Sequence, residues 1–228
     1  MPVDGNRVVI TGSSSGIGAA IARQLASEGW TVIGFDLRPA SGAPSIAQQI
    51  VIDLSDEAET RRVARSLRGV QAIVHAAGFM RTGSLGDLST TDGEAMWKVH
   101  VRALIVLADE LCPYMPAGGR LVAIGSRTSA GAANKSQYAA CKAAIVALVR
   151  CWAKELVGRG VTANVIAPAA TATPMLADAS RAQVVPVMPP IGRYISPDEI
   201  AAYVSFILSP AAAAITGQEL LICGGASL

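Results

Sequence analysis

Aromatic side chains are scarce, at 4% of 228 residues, while hydrophobic residues make up 51%. A core built from this chain is therefore aliphatic, made of Val, Ile, Leu and Ala. Histidine is scarcer still, with only His75 and His100. That argues against a histidine-based metal centre, and no metal is expected. The four cysteines, Cys112, Cys141, Cys151 and Cys223, show no CxxC spacing. They read as reduced, mostly buried thiols of a cytoplasmic protein rather than as a disulfide framework. No run of eighteen apolar residues occurs, so no membrane span is expected. The polar opening MPVDGNR carries no signal-peptide pattern. A net charge of only +2 gives little electrostatic footing for nucleic acid, and no such partner is expected. The one basic run, Arg61, Arg62, Arg65 and Arg68, lacks interleaved aromatics for base stacking. It reads as a solvated helix face with its basic end toward the C-terminus, where the helix dipole favours cations.

What is present is alternation. Strands are predicted at Arg7–Thr11, Thr31–Asp36, Gln49–Leu54, Gln71–Ala77, Arg120–Gly125, Val161–Ala167 and Glu219–Ile222. Several are apolar almost throughout, as expected of strands covered on both faces. Helical patterns lie between them. Ile17, Ile21 and Leu25 recur at i+4, and Gly29 closes that helix. Ser55, Asp56 and Glu57 start another. Ser196-Pro197-Asp198-Glu199 is a capping box with proline at the first helical position. The pattern implies an α/β fold: one doubly wound domain over residues 1–228, with a seven-stranded parallel sheet and helices on both faces. The stretch from Thr173 to Gly192 breaks the pattern with Pro174, Pro186, Pro189 and Pro190. It is expected to form a substrate lid over about 173–195. Met175, Leu176, Val184, Val185, Val187 and Met188 would give that lid an apolar wall.

Two groups of residues carry chemistry. The first strand runs into Gly12, Ser13, Ser14, Ser15, Gly16, Ile17 and Gly18, then a helix. Glycines let the backbone approach a pyrophosphate, and free N–H groups at the helix start face the anion. Asp36 ends the second strand, followed by Leu37. A carboxylate there accepts from ribose hydroxyls and repels a 2′-phosphate, which favours NAD over NADP. Arg38 pulls the other way, because an arginine can accommodate that phosphate. Asp53, before Leu54, faces the adenine or else caps the next helix. Ala76, Ala77 and Gly78 follow the fourth strand, where small residues suit either a flat cofactor or close helix packing. The second group is Tyr138 with Lys142, one helical turn apart, and Ser126 upstream. A free phenol titrates near ~10 and is a poor base, but an adjacent ammonium favours the phenolate. Bringing it to ~7 takes roughly 4 kcal/mol. Ser126 could hold the reacting oxygen. Ser129 is its rival, but Ser126 follows the strand directly.

Together these motifs resemble the short-chain dehydrogenase/reductase family of the classical type, along essentially the whole chain. TGSSSGIG at 11–18 resembles the family's cofactor loop. HAAG at 75–78 resembles its NNAG element with both asparagines replaced. Ser126 with YAACK at 138–142 is similar to its Ser and YxxxK pattern. Ala167-Pro168-Ala169 resembles its Pro-Gly turn, with Thr173 and Met175 at its TxM element, and ITGQELLICGG at 215–225 resembles its closing strand. The resemblance implies a Rossmann-type fold and hydride transfer between NAD and a secondary alcohol or ketone. The alternatives are an NADPH-dependent carbonyl or 3-oxoacyl thioester reductase, or an NAD-binding sensor with weak catalysis. It implies Ser126, Tyr138 and Lys142 as catalytic residues. It also implies that the backbone from Pro168 to Ala170, with Thr171 and Thr173, lines the nicotinamide. A homotetramer or homodimer is implied as well. One departure stands out. The family has an asparagine where this chain has His100, and that asparagine's carbonyl holds a water in a proton relay from Lys142. His100 keeps the relay through its backbone, joins it through a titrating imidazole, or impairs it. Arg81 and Arg127, at strand C-terminal ends, are candidates to hold a substrate carboxylate.

Overall fold

The fold is that of a computed structural model describing residues 6–39, 46–178 and 184–228. The expected start of the chain and part of the expected lid, 179–183, therefore lie outside the described residues. Seven parallel strands form one sheet in the order β3-β2-β1-β4-β5-β6-β7. They are β1 Arg7–Thr11, β2 Thr31–Asp36, β3 Gln48–Val51, β4 Val70–His75, β5 Arg120–Ile124, β6 Thr162–Pro168 and β7 Glu219–Ile222. The helices are α1 Gly16–Ser27, α2 Glu57–Ser66, α3 Thr90–Trp97, α4 Ala103–Leu111, α5 Ser136–Leu156 and α6 Pro197–Leu208. A π-helical turn, Lys98–Arg102, joins α3 to α4 without a break.

Alternation along each strand sorts side chains to two cores. Val8, Ile10, Val122 and Ile124 pack with Ile21 and Leu25 of α1 and Ile200 and Val204 of α6. Val9, Leu121 and Ala123 pack on the other face with Val63 of α2, Leu104 and Leu107 of α4, and Ile145 and Val149 of α5. Both faces are covered, which is why the strands read as continuous apolar runs. Sheet order reverses between β1 and β4, so a crevice opens beyond their carboxyl ends.

The predicted strands fall in place, with one-residue shifts at the starts of β3 and β4, the end of β5 and both ends of β6, and larger shifts at the ends of β3 and β4. β3 stops at Val51 rather than Leu54, and Ile52 N–H makes the last bond, to Asp36 O at 2.8 Å. Ile52 and Leu54 stay buried as core residues outside the strand. β4 stops at His75 because the next two N–H groups, of Ala76 and Ala77, donate to Thr11 Oγ1 at 3.1 and 3.0 Å instead of to a strand. Gly29 closes α1 at φ +87°, and the capping box at Ser196 and Glu199 opens α6. The basic run on α2 is tied down: Arg61 pairs with Asp109 and Glu110 of α4, and Arg65 with Glu110. All four cysteines are free; Cys112 and Cys141 are buried, Cys151 is exposed and Cys223 lies between. Among the described residues, no helix is long and apolar enough to cross a membrane. Among those residues too, no cluster of three or more His, Cys, Asp or Glu could hold a metal.

Candidate active site

The carboxyl ends of the central strands open onto one cleft of about 850 Å³. The glycine loop forms one end. Gly12 has φ +70°, and a Cβ there would lie 2.9 Å from the Ala77 backbone. A Cβ on Gly18 would lie 2.1 Å from Gly12 O. Neither position admits a side chain. Ser15 precedes α1 without a side-chain capping bond, and the first turn holds no acid. By contrast α2, α3 and α6 are capped by the side chains of Asp56, Ser89 and Ser196. The first N–H groups of α1 are left facing the cleft, a setting suited to an anion.

Asp36 is half-buried at the end of β2. Its carboxylate accepts from Ser14 N at 3.0 Å and Arg38 N at 3.1 Å. Ser14 Oγ donates to Arg38 O at 2.7 Å. These bonds tie the glycine loop to β2 and fix the carboxylate at the cleft wall. Two of the expected cofactor-loop and strand-end residues lie off the cleft lining. Ser14 does not line the cleft, because its polar groups face the β2 end. Asp53 does not line it either; its carboxylate closes a turn by accepting from Ser55 N at 2.8 Å. Nor does Asp53 cap α2, a task Asp56 performs. The remaining expected residues at this end do line the cleft: Ser15, Gly16, Ile17, Leu37, Leu54, Ala76, Ala77 and Gly78. An open helix end, a fixed carboxylate and a floor of small residues together fit a dinucleotide.

Ser126, Tyr138 and Lys142 line the same cleft. Ser126 follows β5 and accepts from Thr128 N at 3.1 Å, which holds its hydroxyl in a tight turn. Its rival Ser129 points elsewhere, donating to Glu219 Oε1 at 2.6 Å. Tyr138 lies in the first turn of α5 and is 6% exposed. Lys142 Nζ is 5.6 Å from its ring centroid and donates to Ile124 O at 2.7 Å. Burial pushes the Lys142 ammonium down to about 8. Pro168, Ala169, Thr171 and Thr173 form the opposite wall, and Thr173 packs over Gly16. Met175, Leu176, Val187 and Met188 line the outer cleft, while Val184 and Val185 do not. Arg127 lines it with an exposed side chain. Arg81 instead sits 3.7 Å from Asp178, its guanidinium 5.0 Å from the Phe79 ring centroid. Phe79, Met80 and Ile124 also line the cleft, though no motif singled them out. Phe79 and Met80 were signalled only by following HAAG directly.

Both histidines are buried around this site. Thr11 Oγ1 accepts from two N–H groups, so its single proton goes to His75 Nδ1, 2.9 Å away. His75 therefore carries its own proton on Nε2, on the side of the Val99 and His100 carbonyls. Those carbonyls act on the His75 charge, but the geometry falls short of a hydrogen bond. Burial, then Lys142, pushes His75 down to about 3. The same two causes hold His100 well below the usual histidine range. Burial and the Lys142 charge thus favour the neutral imidazole, which weighs against the reading in which His100 joins the relay by titrating. A sign follows for stability. Both rings are neutral in the fold, whereas unfolded histidines protonate near ~6.5. Their contribution is intact above that value and is lost as pH falls toward about 3. The slope should reach roughly 1.4 kcal/mol per pH unit for each ring. Urea unfolding from pH 7 to 4 should show it, and His75→Asn should flatten it; an unchanged slope would exclude His75 as a source.

The family model described as Enoyl-(Acyl carrier protein) reductase matches residues 12–227. The chain belongs to the short-chain dehydrogenase/reductase family, a family of oxidoreductases. It is 30% identical to the 3-oxoacyl-(acyl-carrier-protein) reductase FabG of Thermotoga maritima, with 99% of each chain covered. It is 30% identical to the D-threitol dehydrogenase of Mycolicibacterium smegmatis, covering 98% of this chain and 93% of that one. A short chain dehydrogenase from Burkholderia cenocepacia, solved in complex with NADP, superposes with a TM-score of 0.85 at 34% identity and full coverage of both chains.

Proposed function

We propose that this protein is a nicotinamide-dinucleotide oxidoreductase interconverting a secondary alcohol and its ketone. The observation that carries this reading is one cleft lined by the glycine loop, Asp36, Ser126, Tyr138 and Lys142. When bound, the nicotinamide supplies or accepts the hydride. Ser126 holds the substrate oxygen. Tyr138 donates a proton to that oxygen or takes one from it. Lys142 places a positive charge beside the phenol and, with Thr173 and the wall from Pro168 to Thr171, orients the dinucleotide. The His100 carbonyl serves the proton path, while burial and Lys142 favour its neutral ring. A cytoplasmic homotetramer or homodimer belongs to the same reading, as does a single domain over the whole chain. A panel of secondary alcohols and ketones with NAD(H) and NADP(H) tests it; no hydride transfer with any pair would sink it in favour of a dinucleotide sensor.

NAD is the cofactor that Asp36 favours. Its carboxylate is fixed at the cleft wall by two backbone N–H bonds and would meet a 2′-phosphate. A second reading, NADP, has its own support. Arg38 lines the same end of the cleft. The Burkholderia relative and two other structural neighbours were solved with NADP or NADPH, so the solved relatives lean toward this reading. Initial rates decide between them. On the first reading NADH supports the higher kcat/KM, and Asp36→Ala narrows the ratio at least about tenfold, some 1.4 kcal/mol. A wild-type preference for NADPH would install the second.

A further inference from the structure

His100 has two neighbours that its backbone role does not require. Its Nε2 lies 2.7 Å from Phe79 O and 3.2 Å from Phe79 N. One ring nitrogen cannot donate to the first and accept from the second at once. The shorter contact makes Nε2 the protonated nitrogen, so the ring is anchored on the Phe79 carbonyl. Nδ1 then bears a lone pair with no hydrogen-bond partner among the described residues. The anchored ring stands T-shaped against Tyr138, with centroids 5.5 Å apart and planes at 85°.

The second neighbour is Gly78. A Cβ built there would lie 2.1 Å from His100 Cε1, 2.6 Å from Nδ1 and 2.9 Å from Nε2. The imidazole occupies the space that any side chain at 78 would fill. Gly78 has no left-handed φ to explain it, so contact with the ring is what forbids a larger residue. The ring thus bridges the segment after β4, which lines the cleft at Phe79, and the first turn of α5, which carries Tyr138.

We propose that His100 is a positioning residue for Tyr138: its imidazole, anchored on Phe79 and accommodated by the absent side chain at Gly78, fixes the tilt of the phenol ring. This rests on the reading of Tyr138 as the acid–base group. Three measurements on the full chain test it. With labelled tyrosine, the Tyr138 ring resonances, assigned through Tyr138→Phe, should move on His100→Asn. Melting temperatures should form a coupled cycle: Gly78→Ala lowers Tm strongly beside His100 and little in the His100→Asn background. Turnover should split, with kcat falling about tenfold in His100→Asn and KM for the dinucleotide within about twofold of wild type. Ring resonances that do not move, an equal Tm loss from Gly78→Ala in both backgrounds, or an unchanged kcat would each overturn the proposal. A wild-type chain with no turnover on any substrate would instead refute the oxidoreductase reading, and the resonances and the melting cycle would still decide whether His100 holds the ring.

Discussion

Tyr138→Phe should cut turnover by about 10²–10⁴-fold while leaving dinucleotide affinity within about twofold. The substitution removes one oxygen and keeps the ring. The T-shaped contact with His100 and the place beside Lys142 survive, since both involve the ring. What is lost is the proton on the reacting oxygen, a feature of the transition state more than of either bound state. kcat and kcat/KM should therefore fall together. The pH–rate profile adds a check. Lys142 loses its charge above about 8, so turnover that depends on that charge should change there. His100 and His75 contribute no inflection near 6.5, because both rings stay neutral. Near-normal turnover by the Phe variant would remove Tyr138 from the chemistry.

Gly18→Ala should do comparable damage by another route. Its Cβ would meet Gly12 O at 2.1 Å, and a backbone oxygen cannot rotate away. The loop must shift, at a cost near the upper end of overpacking, about 3 kcal/mol. That corresponds to roughly 6–12 °C in Tm for a chain of this size. The same shift moves the N–H groups at the start of α1, so Kd for NADH should rise about tenfold or more. Gly29→Ala is the control. It meets nothing within 4 Å and suffers only its φ of +87°, about 1–2 kcal/mol, far from the cleft. A Gly18 variant no worse than the Gly29 variant would mean that the loop is not packed this tightly.

The sheet and its order of elements were legible because period-2 and i+4 patterns act within short windows. The end of β4 was not, because it depends on Thr11, 65 residues away in sequence, capturing the Ala76 N–H. Ser14 and Asp53 illustrate the same limit. Each sits in a motif where a cofactor contact is reasonable. Yet Ser14 bonds to the Asp36 carboxylate and to Arg38 O, more than twenty positions away, and Asp53 accepts from Ser55 N two positions on. The Tyr138 and Lys142 pair was legible because one helical turn fixes their neighbourhood. The fit of His100 to Gly78 was not, because 22 positions separate an imidazole from the space that receives it, and nothing in either neighbourhood announces the other.

The π-turn at Lys98–Arg102 works as a phase shift in an otherwise regular wave. Met96 and Leu104, eight positions apart, would point about 80° apart on an uninterrupted α-helix. One extra residue in the turn brings them to within about 20°. Both are fully buried in the same core. Deleting one residue from 98–102 would put them seven positions apart, about 20° from alignment on a regular α-helix. The π-turn would then close to α, and the two faces would stay in step. Adding one residue would instead set α3 and α4 out of step. For this helix, the count of residues carries structural information that their identities do not.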